Sequence, residues 1–160
     1  MTVTRSTRDA DARTLTVTAE FDAPPARVWN LWADPRLLER WWGPPTWPAT
    51  FTEHDLRPGG RSRYVMHGPD GGTSPGWWRT VSVDPPHQFA FENGFAGPTG
   101  EPDPTMPVMM IRLAIEERAG SGTRMTVVIA FSSSADMEQV LTMGMEEGMS
   151  AAMGQMDMVL

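Results

Sequence analysis

An α+β architecture, in which a curved seven-stranded antiparallel sheet grips one long C-terminal helix, is what this sequence calls for. Three patterns point to it. Apolar residues alternate at period two in seven short runs, two helical runs sit between the first and second of these, and three- and four-residue spacing takes over from Ser134 onward. At 160 residues and 40% hydrophobic content, the chain has the size of one domain with one core.

The first run, 13–21, places Leu15, Val17, Ala19 and Phe21 on one face and threonines with Glu20 on the other, as a strand would. Residues 1–12 read as a flexible N-terminal segment and 13–160 as the single domain. Asp22 marks a helix N-cap region, Pro24 and Pro25 suit a first helical turn, and Val28, Trp29, Leu31 and Trp32 keep helical spacing up to Asp34-Pro35. A second short helix over 35–42 buries Leu37, Leu38, Trp41 and Trp42. Strands 50–56 and 61–67 flank the turn Arg57-Pro58-Gly59-Gly60, and Gly68-Pro69-Asp70-Gly71-Gly72 is a second turn. Strands 77–83 and 88–95 flank Asp84-Pro85-Pro86-His87; a Pro/Gly-rich loop over 96–107 then leads to strands 108–117 and 123–131. Ser134 caps the last helix, whose stripe is Met137, Leu141, Met145, Met149, Ala152, Met156 and Leu160. Gly144, Gly148 and Gly154 weaken it by roughly 1 kcal/mol each against alanine, so packing on the sheet has to stabilise it.

Composition excludes several function classes. There is no cysteine, hence no disulfide, thiolate metal site or cysteine nucleophile. All 13 basic side chains are arginine, and without lysine there is neither Schiff-base chemistry nor a phosphate-loop lysine. A net charge of -7 disfavours nucleic acid and anionic membranes as partners, and no basic patch offsets it. No apolar run is long enough to cross a bilayer and 1–13 is polar, so the expectation is a soluble cytoplasmic protein without membrane insertion. The 3 histidines are scattered, which gives no metal-ligand spacing and leads to the expectation of no metal and no cofactor.

Phe21-Asp22-Ala23-Pro24-Pro25-Ala26-Arg27-Val28-Trp29, Trp41-Trp42-Gly43-Pro44, Asp55-Leu56-Arg57-Pro58-Gly59-Gly60-Arg61, Gly68-Pro69-Asp70-Gly71 and Gly144-Met145-Glu146-Glu147-Gly148 fall in an order that resembles the START-like (SRPBCC) superfamily. The chain looks most like a bacterial-type member of the branch named after the activator of the heat-shock chaperone ATPase. That resemblance implies a helix-grip fold over 13–160 and a cavity between sheet and helix. It leaves the activity open, because the superfamily includes lipid carriers, hormone receptors and polyketide cyclases.

Strand alternation suggests the lining of such a cavity. Thr52, His54 and Leu56 share a face with Ser62, Tyr64 and Met66, while Glu53, Asp55, Arg61 and Arg63 take the wet side. By the same rule Trp77, Arg79, Val81, Val83, Phe89, Phe91, Met109, Ile111, Leu113, Ile115, Met125, Val127, Ile129 and Phe131 point inward, facing Met145 and Met149. Methionines suit an adaptable apolar wall, and an ordinary core would show the same pattern. Trp41, Trp42 and Trp47, with the 95–107 loop, would close one end. His54 opposite Tyr64 reads either as a polar pair that orients a ligand or moves a proton, or as a satisfied core histidine. Arg79 would anchor an anionic group or pair with a carboxylate, while His67, His87, Glu146 and Glu147 read as solvated.

The expected function is binding of a small hydrophobic molecule, aromatic or lipid-like, by a monomer or weak homodimer. The enzymatic alternative is a cyclase or dehydratase acting on an aromatic or polyketide-like substrate through His54, Tyr64 or Arg79. A chaperone-associated interaction protein is the third reading, carried only by the branch name.

Overall fold

The structure, a computed structural model, describes residues 3–160. Its strands are β1 (Val3–Asp9), β2 (Thr14–Phe21), β3 (Ala49–His54), β4 (Arg61–His67), β5 (Thr73–Asp84), β6 (Gln88–Phe95), β7 (Val108–Glu117) and β8 (Thr123–Phe131). They form one antiparallel sheet in the order β1-β2-β8-β7-β6-β5-β4-β3. Helices α1 (Pro25–Ala33) and α2 (Pro35–Leu38) follow β2, and α3 (Ser134–Thr142), α4 (Met145–Met153) and α5 (Met156–Val159) close the chain. This is the helix-grip arrangement, a curved antiparallel sheet covered by C-terminal helices. No helix among the described residues is long and apolar enough to cross a membrane.

Period-two patterning aligns buried side chains into rows across the sheet. Leu15, Ile129, Ile111, Phe91 and Thr80 pair in succession from β2 to β5, and Val17, Val127, Leu113, Phe89 and Val83 make a parallel row. Tryptophans from α1 and the following turn lie on these rows. Trp32 is fully buried, its ring 6.3 Å from both Trp78 and Phe91, and Trp29 meets Phe89 edge-on at 6.2 Å. Such pairs add about 0.5–1.5 kcal/mol each beyond the area they bury.

The sheet has eight strands rather than seven, and the additional one is β1, in the segment expected to be flexible. Its backbone satisfies the outer edge of β2, so the sequence's first alternating run is not the sheet's edge. Met1 and Thr2 lie outside the described residues. The C-terminal helix is three helices, because Gly144 stands at φ 89, in the left-handed region, and the chain turns again at Gly154. The second short helix stops at Leu38, and Trp41 and Trp42 lie in the turn beyond it.

Glu146, on α4, is not solvated as expected. Its carboxylate accepts from Ser6 Oγ and from Arg8 Nε, both at 2.5 Å, and so ties β1 to the helix. The Ser6 bond, then the Arg8 bond and charge, hold its pKa below the ordinary 4.5. A carboxyl depressed by folding stabilises the native state above its unfolded pKa, and that stability disappears as pH falls through the lower native value. Glu146→Gln is therefore expected to lower stability at neutral pH by no more than about 0.5–1 kcal/mol, because solvent screens the half-exposed Arg8 partner. Urea titrations should show the difference from the parent shrinking as pH drops below 4.5.

Candidate functional site

Between the sheet and the α3–α4 junction lies a cavity of about 220 Å³. Tyr64 and Met66 of β4, Asn93 and Phe95 of β6, and Met109 of β7 form its floor. Its roof is Val140 of α3, Met143 and Gly144 at the junction, and Met145, Gly148, Met149 and Ala152 of α4. Trp42, Gly43 and Pro44 close it at the side. Gly43 holds that loop in a tight turn at φ 92, where a Cβ would stand 2.3 Å from the Trp47 carbonyl oxygen. Gln155 fixes the loop to the end of the helices by donating to the Gly43 carbonyl at 2.8 Å. A wider hollow of about 750 Å³ beside His87, Glu116 and Glu117 is walled mainly by exposed residues and lacks this apolar enclosure.

The polar end of the cavity is built on a missing side chain. Gly76 pairs with Tyr64 across β4 and β5, and the Tyr64 ring lies over it so closely that a Cβ would stand 2.3 Å from the phenol oxygen. There the hydroxyl accepts a hydrogen bond from Asn93 Nδ2 at 3.1 Å. The same amide nitrogen donates to the Trp77 carbonyl, also at 3.1 Å; a carbonyl only accepts, so the orientation of the Asn93 amide is fixed. Trp42 meets the Tyr64 ring edge-on at 5.7 Å, and its buried indole N–H has no hydrogen-bond partner. Burial pushes the Tyr64 pKa up, opposed by the Asn93 bond and by the Trp42 indole, which approaches the phenol without hydrogen-bond geometry, so the side chain stays a neutral phenol.

Of the residues singled out from sequence, Trp42, Tyr64, Met66, Met109, Met145 and Met149 meet around this cavity. The others lie elsewhere. Trp41 is buried in the tryptophan cluster, donating to the Leu31 carbonyl at 2.7 Å, and Trp47 lies against Gly68 and Gly72. Phe91, Ile111 and Val127 belong to the close-packed rows of the sheet. Two bulges account for the inverted assignments. On β3 the register shifts between Phe51 and Glu53, so Phe51 and His54 both face in while Thr52 is exposed. On β5 the inward residues are Trp78 and Thr80, and a shift between Thr80 and Ser82 leaves Val81 44% exposed before Val83 turns back to the core. Trp77 thus lies on the outer face over Gly94, and Arg79 is exposed, 3.9 Å from Glu92. Asn93 escaped the sequence reading although alternation from Phe89 and Phe91 points it inward. A polar residue continuing an apolar face was the available signal.

His54 does not pair with Tyr64. Its Nε2 lies 2.8 Å from the Trp32 carbonyl, which fixes that nitrogen as the protonated one, and Nδ1 accepts from the buried Ser62 hydroxyl at 2.8 Å. The ring therefore joins α1 to the β3–β4 hairpin and is absent from the cavity wall. Desolvation lowers its pKa below 6.5, against the Trp32 hydrogen bond and the charges of Asp34 and Asp55. His67 contacts Thr50 Oγ1 at 3.2 Å, and His87 donates to the Ile115 carbonyl at 3.1 Å; both are exposed. Among the described residues no group of three or more histidine, cysteine, aspartate or glutamate side chains is placed to hold a metal ion.

The neutral His54 binds fewer protons folded than unfolded, so its contribution is complete above 6.5 and declines as pH falls below that value. A protein-detected imidazole titration should place its midpoint below 6.5, and His54→Gln should flatten the loss of stability just beneath that pH.

The model of the family described as "Activator of Hsp90 ATPase homolog 1-like protein" matches residues 22–160. No match is found among curated proteins. Among solved structures, protein Ms6760 from Mycobacterium smegmatis is 48% identical, with a TM-score of 0.91 over 99% of this chain and 96% of that one. A protein from Arthrobacter aurescens is 44% identical, with a TM-score of 0.94 over 99% and 91% of the two chains. The AHSA1 protein from Silicibacter pomeroyi shares the fold at 19% identity, with a TM-score of 0.70 over 89% and 93%. With a matched span from the end of β2 to the last residue, this chain belongs to the activator of Hsp90 ATPase homolog 1-like family, within the START-like superfamily.

Proposed function

We propose that this protein binds a small hydrophobic molecule in the cavity between the sheet and α3–α4. The observation that carries this reading is the composition of the wall: methionine, phenylalanine, valine and proline side chains around about 220 Å³, with Tyr64, Asn93 and the Trp42 indole gathered at one end. Apolar lining with a few convergent polar groups is the usual make-up of a small-molecule site. Burial of ligand surface would drive association at roughly 25 cal/mol per Å², less the ordering of the flexible methionines.

Binding is favoured over proton-transfer catalysis by what the wall presents. No histidine, carboxylate or arginine lies among the described lining residues, and Tyr64 is held as a neutral phenol. General acid–base work needs a group poised near the operating pH within reach of the substrate. His54, the candidate from sequence, has both ring nitrogens engaged elsewhere.

Gly148 offers a direct test. A Cβ placed on it meets nothing within 4 Å, and the residue borders the cavity from inside α4. Gly148→Ala is expected to raise stability by about 0.5–1 kcal/mol through helix propensity alone. Gly148→Leu should fold and fill the space. Native mass spectrometry of freshly purified protein should detect a co-purifying small molecule on the parent and none on Gly148→Leu. An adduct retained equally by the leucine variant would overturn this location.

A further inference from the structure

Resting on that reading, we infer that the ligand is a neutral, compact carbonyl compound, its oxygen accepting from the Tyr64 hydroxyl. The hydrogen-bond inventory at the polar end leads there. Both available roles of the Asn93 amide nitrogen are taken, one by the Trp77 carbonyl and one by the Tyr64 oxygen. Among the described residues Tyr64 only accepts, from Asn93 and with the Trp42 indole turned toward the same oxygen, so its own proton is free to be donated. Trp42 is 4% exposed, and its indole N–H is buried against the phenol rather than open to the cavity. One donor without a protein acceptor, the Tyr64 O–H, therefore remains at this end, beside the Trp42 ring whose centroid is 5.7 Å away.

A buried donor left unpaired is unfavourable, and a ligand oxygen that accepts from the Tyr64 hydroxyl relieves it. A ketone, aldehyde, lactone or quinone oxygen meets that description, whereas a hydrocarbon leaves the donor unpaired. Charge narrows the class further. With no cationic side chain on the described wall, a carboxylate would lose its hydration to one neutral donor and no counter-charge.

Size sets the last limit. A cavity of about 150 Å³ holds benzene, so by proportion one of about 220 Å³ takes roughly nine or ten non-hydrogen atoms. That fits one ring with short substituents or two small fused rings, and it excludes a long acyl chain lying wholly inside.

Three compounds of nine or ten non-hydrogen atoms test the inference: 1-indanone, indane and benzoate, titrated into the protein while backbone amide shifts are followed by NMR. The expected result is that 1-indanone binds about tenfold more tightly than indane, a difference worth one hydrogen bond, and that the carboxylate does not bind. Tyr64→Phe should bring 1-indanone down to the affinity of indane and leave indane unchanged. Gly148→Leu should abolish binding of all three. Equal affinities for 1-indanone and indane in the parent would overturn the carbonyl assignment and leave the hydrophobic cavity standing. Binding of the carboxylate as tight as that of the ketone would overturn its neutral character. If none of the three binds, the assignment falls together with the cavity reading. Should Tyr64→Phe fail to fold, the comparison of the three compounds on the parent protein decides the matter.

Discussion

The rows of buried side chains crossing from β2 to β5 create an apolar face that water must not reach, and it has to be covered along its whole width. Two different covers divide the task. Over one part lie α1 and the turn after α2, which bring Trp29, Trp32 and Trp41, rigid rings that pack edge-on (Trp29 with Phe89, Trp32 with Trp41) or tilted (Trp32 with Trp78). Over the other lie α3 and α4, which bring methionines and glycines. Rings of fixed shape close-pack; unbranched thioethers beside residues with no side chain do not fill the same volume. The cavity sits under the second cover, where the tryptophans end at Trp42.

Most of this architecture was legible because period-two and helical spacing survive in a single sequence. The sheet's inward rows on β6, β7 and β8 lie where Phe89, Phe91, Ile111 and Ile129 suggest. What failed to read through was backbone geometry that changes the count. A bulge adds a residue without altering composition, so Thr52 and Val81 carried the alternation in thought while Phe51 and Thr80 carry it in space. Paired tryptophans at 77 and 78 hid the error, since either could be the buried one. The edge strand β1 was missed for another reason. Thr4, Arg5, Ser6, Thr7 and Arg8 have no apolar alternation, and what holds the strand is backbone pairing together with a carboxylate more than 130 residues away.

The candidate site was legible only in its apolar half. Tyr64 and Met149 follow from periodicity, whereas the relation among Tyr64, Asn93 and Trp42 is tertiary, assembled from two strands and a loop that are far apart in the chain. His54 is instructive in the opposite direction. A lone histidine on an inward face attracts a catalytic reading, yet a carbonyl on one side and a buried hydroxyl on the other make it a brace between α1 and the hairpin.

Gly76 has a further consequence. Tyr64 reaches its place because the strand beneath it presents bare backbone, and Gly76 itself does not line the cavity. On the proposed reading, the identity of the accepted ligand is written partly at a position that does not line the cavity. Two relatives with identical walls but different residues at this site would hold their phenols differently and select different functional groups. Matching only the residues that surround a bound molecule would score such a pair as equivalent; the divergence would be visible one layer down, in the floor on which the wall stands.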